Sequence, residues 1–250
     1  MSGEETAMQY APHAHLQITI DGPAGVGKST IGERLAQRLG TLYVDTGAFY
    51  RTLTYLALAH GLAPDDAPAL EVLARDMHIA IVAPTPITAD GRQYTVLVDG
   101  GDITQRLRTP DVEAAVSRVS SHEGVRRELI ERMREMAGRQ SVVMVGRDIG
   151  AVVLPHAHFK VYLTTSLEQR AQRRHRDLVA AQGENAPSLD TVRQKIAERD
   201  AIDAPHTYIA PDAMVINNDN LEADDVVARI LAALAERDLI QPRATRAMEE

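Results

Sequence analysis

The ten residues 21–30, DGPAGVGKST, place three glycines and a proline in front of Lys28 and two hydroxyl side chains. Glycine this dense weakens regular structure and is kept where the backbone must turn sharply or lie close against another group. From Gly22 to Ser29 the run fits G-x-x-x-x-G-K-[ST], the pattern of a phosphate-binding loop. In such a loop Gly22, Pro23, Ala24, Gly25, Val26 and Gly27 fold so that free backbone N–H groups face phosphate oxygens. The N-terminus of the following helix adds partial positive charge. Lys28 reaches the β- and γ-phosphates, the Ser29 hydroxyl ligates Mg²⁺, and Thr30 closes the ATP site. Gly25-x-Gly27 lacks the third glycine of a dinucleotide fingerprint, so a nicotinamide or flavin is not the expected ligand. The chain has 24 Arg and only three Lys (Lys28, Lys160 and Lys195), and one of the three stands in this loop. A compact point charge is wanted there rather than a planar fork.

A phosphate loop alone leaves GTPase, motor ATPase and small-molecule kinase open. No N-K-x-D guanine-reading motif is present, which lowers the first. The arginines carry the rest. Thr46 and Arg51 follow one strand-like run, and Arg147 with Asp148 follows another. Arg170, Arg173 and Arg174 stand at i, i+3 and i+4, which puts three guanidiniums on one helical face. Arg199, Asp200 and Asp203 come later. Transfer of a phosphoryl group needs such a set, because negative charge must be neutralised while water is kept out. His156-x-His158 has a spacing open to a metal pair, but no third ligand is evident and a proline-flanked loop is the expected reading.

The elements that would position these residues follow an α/β alternation. Residues 16–20 (LQITI) read as a buried strand, and 29–39 as a helix closed by Gly40. Residues 42–44 and 49–60 repeat the strand and helix, the βαβ pattern of a parallel sheet. In an open parallel sheet, ligands bind at the carboxyl ends of the strands. That is where the loop, Thr46 and Arg147 fall. Residues 77–82 and 94–98 are β-rich and joined by PTPITADGRQ, whose Asp90-Gly91 signals a turn. They predict a small antiparallel insert. Thr109-Pro110-Asp111 opens a helix, broken near Gly124 and stopped by Gly138. Strands are expected at 142–145, 159–163 and 214–216. Helices are expected at 167–181, 191–200 and 221–239, with QGENAPS as a link.

Composition sets outer limits. The 250 residues carry net charge −8 and 44% hydrophobic residues, enough for one sizeable core. A sequence pI near 5.6, no Trp and few aromatics argue against a nucleic-acid polymer as partner. The absence of Cys excludes disulfides, thiolate zinc and cysteine nucleophiles. No apolar run is long enough to span a membrane, and the N-terminal residues lack the apolar stretch of a secretory signal. A cytoplasmic protein is expected.

The segments IDGPAGVGKST, VDTGAFYR, DGGDITQRLRTPDVEAAVSRVSSHEGVR, VGRDIGAVVLPHAHFKVYLTTSLEQRAQRR and ERDAID together resemble the bacterial cytidylate kinases, of the nucleoside monophosphate kinase group. The resemblance spans about residues 16–235. It implies a P-loop nucleoside monophosphate kinase fold: a five-stranded parallel sheet in order 2-3-1-4-5, flanked by helices, with an antiparallel insert and a lid. One kinase domain is implied over residues 16–240, with core segments 16–62, 138–166 and 205–240. The monophosphate-binding insert would be 63–137, and the lid with flanking helices 167–204. Residues 1–15 read as a flexible tail and 241–250 as a frayed end. The implied activity is transfer of the ATP γ-phosphate to CMP and dCMP, with Mg²⁺, in pyrimidine nucleotide metabolism, by a monomer. Carried over by position, Thr46, Arg51, Ser117, Arg126, Arg147, Asp148, Arg199 and Asp203 would bind the CMP. Ser117, Arg126 and Asp148 would read cytosine, with Asp148 accepting from its exocyclic amine. Lys28, Arg147, Arg170 and Arg174 would act in the transfer, and Arg173 would join the ATP site.

Three departures stand out. The family usually has arginine seven residues after the Arg199 position, where this chain has His206. Asn217-Asn218-Asp219 replaces an acidic-Thr-Ser signature after the last strand, and the first dozen residues have no counterpart. Two rival readings remain: a P-loop kinase for a different small acceptor, and an ATP-gated binding protein whose arginines hold a protein partner.

Overall fold

The computed structural model describes residues 10–13, 15–85 and 90–243. In chain order the strands are β1 (Tyr10–Pro12), β2 (Gln17–Asp21), β3 (Leu42–Asp45), β4 (Ile79–Val82), β5 (Thr95–Val98), β6 (Gly101–Asp102), β7 (Val142–Gly146), β8 (Phe159–Thr164), β9 (Met214–Asn217) and β10 (Ile240–Pro242). The α-helices are α1 (Lys28–Leu39), α2 (Gly47–Ala59), α3 (Ala67–Asp76), α4 (Pro110–Ser121), α5 (Glu123–Ala137), α6 (Leu167–Gln182), α7 (Leu189–Asp203) and α8 (Ala223–Glu236).

Five strands make the parallel sheet, in the order β3-β7-β2-β8-β9. Counted along the chain these are strands 2-3-1-4-5, the expected topology. The phosphate-loop strand β2 is central, and its run Ile18, Thr19, Ile20, Asp21 is buried throughout. A strand covered on both faces needs such a run rather than alternation. The outer strand β9 instead alternates, with Ile216 buried and Val215 exposed. Ile18, Ile20, Leu35, Phe49, Val143 and Leu163 are fully buried in one core. β4, β5 and β6 form the separate antiparallel sheet. Helices α6 and α7 pair over their own small core of Ala171, Val192 and Ile196.

Several details differ from the sequence expectation. The interruption expected near Gly124 falls at His122, whose extended backbone separates α4 from α5. Gly124 lies inside the first turn of α5, beside the Glu71 side chain, and does not end a helix. Helix α3 and strand β6 were not foreseen. The first has ordinary helix signals, an Asp66 cap with Leu70 and Ala74 buried, inside a stretch read only as insert, and the second has only two residues, too few for a period to register. The chain ends also behave differently from a tail and a frayed terminus. Tyr10–Pro12 pairs antiparallel with Ile240–Pro242, where backbone bonding between two short runs leaves little hydrophobic pattern. The rest of both terminal expectations, and residues 86–89 of the turn before Asp90-Gly91, lie outside the described residues.

Candidate active site

At the end of β2 the backbone enters the loop through Gly22, with φ 148°, where a Cβ would sit 2.5 Å from the Leu163 carbonyl oxygen. Gly27, with φ 97°, caps the start of α1 in the left-handed region. Only glycine takes both positions without strain. The loop therefore curls back over the end of β8, and the next residue, Lys28, points into it. Its Nζ donates to the carbonyls of Gly22 and Pro23, each at 2.7 Å. Burial first, then the positive charge of Arg147, pushes the Lys28 ammonium well below its usual range, and Asp21, Asp45 and Asp203 oppose this. A buried cation so placed gains from any polyanion delivered beside it. Ser29 is exposed at the same opening.

One cleft of about 360 Å³ has Ala24, Gly25, Lys28 and Ser29 on its phosphate-loop side. It also takes in Thr46, Arg51, Ser117, Arg126, Arg147, Asp148, Arg199 and Asp203, so all eight residues assigned to the acceptor nucleotide line the same space. Thr46 is buried and its Oγ1 donates to the Val145 carbonyl at 2.9 Å, locking β3 to β7 at the cleft floor. Arg51 Nε donates to Glu113 at 2.9 Å. Arg147 gives two N–H groups to one carboxylate oxygen of Asp203, at 2.9 and 2.7 Å. Arg199 Nε donates to that oxygen at 3.1 Å, and its Nη1 to Ser117 Oγ at 3.1 Å. Strand β7, helix α4 and helix α7 are thereby tied across the opening.

Asp148 is buried and 2.5 Å from Arg126 Nη2. Burial raises its carboxyl above the usual range, against the opposing charges of Arg126 and His206. Arg126 lies 5.9 Å from the Tyr50 ring centroid, and burial pushes the Tyr50 phenol up to about 12. A neutral aromatic, a fixed guanidinium and a carboxylate thus meet in one corner. Such a corner can accept from an amine and stack a flat ring. His206 also lines the cleft.

The three arginines of α6 separate. Arg170 is buried, donating to the Ala24 carbonyl at 3.0 Å and pairing with Asp200 at 2.7 Å. Arg173 donates to the Asn218 carbonyl at 2.7 Å. Arg174, expected on the same face, is exposed. Two members of the cluster therefore brace the loop and its surroundings. The third turns outward to solvent.

Sequence reasoning missed Asp21, Tyr50, Arg108 and Asn218. Arg108 lines the cleft 3.8 Å from Asp45. Asn218, 2% exposed, accepts from Thr165 Oγ1 and donates to the Val26 carbonyl at 2.9 Å. A polar residue just past a strand end was its only signal. His158 takes no part in the site; its Nδ1 accepts the Gln17 amide at 3.1 Å.

A family profile described as Cytidylate kinase matches residues 18–236. A cytidylate kinase from Roseiflexus castenholzii is 46% identical over 220 residues, covering 88% of this chain and 94% of that one. Another from Chloroflexus aggregans is 47% identical over 214 residues, covering 86% and 91%. A solved structure of an uncharacterised protein from Eubacterium ventriosum matches with TM-score 0.50 at 11% identity, over 90% of this chain and all of that one. That likeness bears on the fold alone.

Proposed function

The chain belongs to the cytidylate kinase family, and on that premise we propose that it transfers the γ-phosphate of ATP to CMP and dCMP. The observation that carries the reading is the single cleft joining the phosphate loop to the Arg126–Asp148 corner. Donor phosphates lie against Gly22 to Thr30, where Lys28 exchanges its two carbonyl partners for phosphate oxygens. Cytosine sits in the corner, its amine donating to Asp148, with Arg126 and Ser117 beside it. Arg51, Arg147 and Arg199 take the acceptor phosphate, and Asp203 orients two of them and meets the ribose. An acceptor phosphate oxygen attacks the γ-phosphorus in line, the bond to the β-phosphate oxygen breaks, and ADP leaves with that electron pair. Arg147 and Lys28 balance the charge that spreads over the equatorial oxygens.

The donor set suits Mg²⁺, which keeps several waters and relies on substrate phosphates rather than a protein cage. Ser29 offers one exposed hydroxyl at the cleft, and among the described residues no cluster of three acidic or histidine ligands is present. When bound, the ion would be held in part by Ser29 and would supply positive charge that lowers the repulsion among the substrate phosphates. Residues 63–137 form the monophosphate-binding insert, and residues 167–204 the lid that carries Arg170, Arg173 and Arg174 toward ATP. In this reading the enzyme works as a cytoplasmic monomer; separately, among the described residues no helix is long and apolar enough to cross a membrane.

A coupled assay of ADP formation with CMP, dCMP, UMP, AMP and shikimate tests the reading. CMP- and dCMP-dependent turnover is expected. Turnover confined to another acceptor, or none with any of them, would overturn it.

A further inference from the structure

Asp21 is not among the residues assigned to either nucleotide, yet it is 3% exposed and its carboxylate is fully engaged. Oδ1 accepts the Ile149 amide and Oδ2 the Gly150 amide, both at 2.8 Å. These two donors open the π-helical turn Ile149–Val153, which begins directly after Arg147 and Asp148. A helical turn leaves its first N–H groups without partners. Here a strand residue from far earlier in the chain supplies both acceptors.

Asp21 is also the last residue before the phosphate loop. Its neighbour Gly22 offers one carbonyl to Lys28 Nζ at 2.7 Å and to Arg147 Nη1 at 3.4 Å. The same turn is seated on β2 a second time. A Cβ on Gly150 would lie 2.7 Å from Thr19 Oγ1 and 3.3 Å from Asp21 Oδ2, so the backbone approaches the strand as closely as glycine permits. The carboxylate fork fixes where the 147–148 backbone leaves the sheet, and hence where both side chains enter the cleft.

We propose that Asp21 is a positioning residue that seats the Arg147–Asp148 turn on the phosphate-loop strand and so sets selectivity for the acceptor base. It touches neither nucleotide and acts through Asp148. The inference rests on the reading that Asp148 faces the acceptor base. Only a carboxylate can serve both amides at once. An amide side chain offers one accepting oxygen and turns an NH₂ group toward the second N–H.

The test uses full-length Asp21→Asn, Gly150→Ala and Asp148→Asn, with kcat/KM for CMP and UMP, KM for ATP and a thermal melt. Asp21→Asn is expected to lower the CMP/UMP ratio by about tenfold, the scale of one charge-assisted hydrogen bond, with KM for ATP changed by less than about twofold. Gly150→Ala, which lifts the same turn by a steric route, should move the ratio in the same direction. Should Asp21→Asn melt below the assay temperature, Gly150→Ala decides alone. A full CMP/UMP ratio in the variants, with Asp148→Asn having lost it, overturns the proposal. A rise in KM for ATP at constant selectivity does so as well, because Asp21 would then serve the loop. If Asp148→Asn itself keeps the ratio, the underlying site reading fails instead.

Discussion

At the scale of single residues, the cleft is a set of charges that hold one another. Lys28 is the plainest case: its ammonium rests on two carbonyls in a buried position that disfavours its charge. Lys28→Ala is expected to lower kcat by about a thousandfold or more while circular dichroism stays native, since phosphoryl transfer depends chiefly on such fixed charge. Turnover near the wild-type rate would remove the loop from the mechanism. His206 stands where the resemblance predicts an arginine, and it lines the cleft near Asp148. An arginine there would bring a planar, always charged fork into the cleft proposed to hold the acceptor phosphate. His206→Arg should lower KM for CMP by about three- to tenfold and leave KM for ATP alone, as one added charge-assisted contact would. Equal KM values for CMP in variant and wild type would show that the side chain does not meet the acceptor. The residues of the phosphate loop could be read directly from their spacing. Among the acceptor residues, Ser117 and Arg126 depended on the resemblance, because they lie on helices α4 and α5, where polar residues ordinarily face water.

At the scale of elements, the phosphate loop is held from behind as well as shaped by its glycines. Arg170 on α6 grips the Ala24 carbonyl, and Asn218 after β9 grips the Val26 carbonyl while accepting from Thr165. A loop whose N–H groups must all face one way has its carbonyls facing the other, and these need partners too. Asn218→Ala is expected to cost about 1–3 kcal/mol in stability through the unpaired Val26 carbonyl and Thr165 hydroxyl, and to raise KM for ATP about three- to tenfold. The CMP/UMP ratio should not move. Denaturant titration and kinetics in ATP check both parts, and an unchanged KM for ATP would mean that the glycine geometry alone shapes the loop. This brace was invisible in the sequence, since it joins residues nearly two hundred positions apart. The five parallel strands, by contrast, were legible as apolar runs, and α1 as a spaced apolar face. Helix α3 and the π-helical turn were not: the first, capped by Asp66, falls in a stretch read only as insert, and the second has its first two N–H groups met by Asp21, far away in the chain.

At the scale of the whole molecule, the burial of Asp21 makes its contribution to stability depend on pH in a direction opposite to those of Asp102 and Asp212. Burial, set against the two amides, raises the Asp21 carboxyl from 3.8 to about 6. The folded chain therefore holds this proton more tightly than the unfolded chain. Its contribution to stability is fully present below about pH 4 and is lost as pH rises through about 6. The shift corresponds to at most about 3 kcal/mol. Asp102, held below its usual range first by hydrogen bonds from Thr104, and Asp212, held down first by Lys160, act the other way. Their contributions are present above the ordinary carboxylate range and fade in acid, so the total curve mixes both signs. The difference between wild type and Asp21→Asn isolates the one group, because the amide does not titrate. Relative to the variant, the wild type should lose up to about 3 kcal/mol of unfolding free energy between about pH 4 and about pH 7.5. Urea unfolding of both proteins at several pH values gives that difference. A constant difference would mean that the carboxyl titrates alike in the folded and unfolded chains, whereas a wild type that gains on the variant as pH rises would show the amide bonds outweighing burial. Either result would leave the geometry of the turn intact but remove its electrostatic cost.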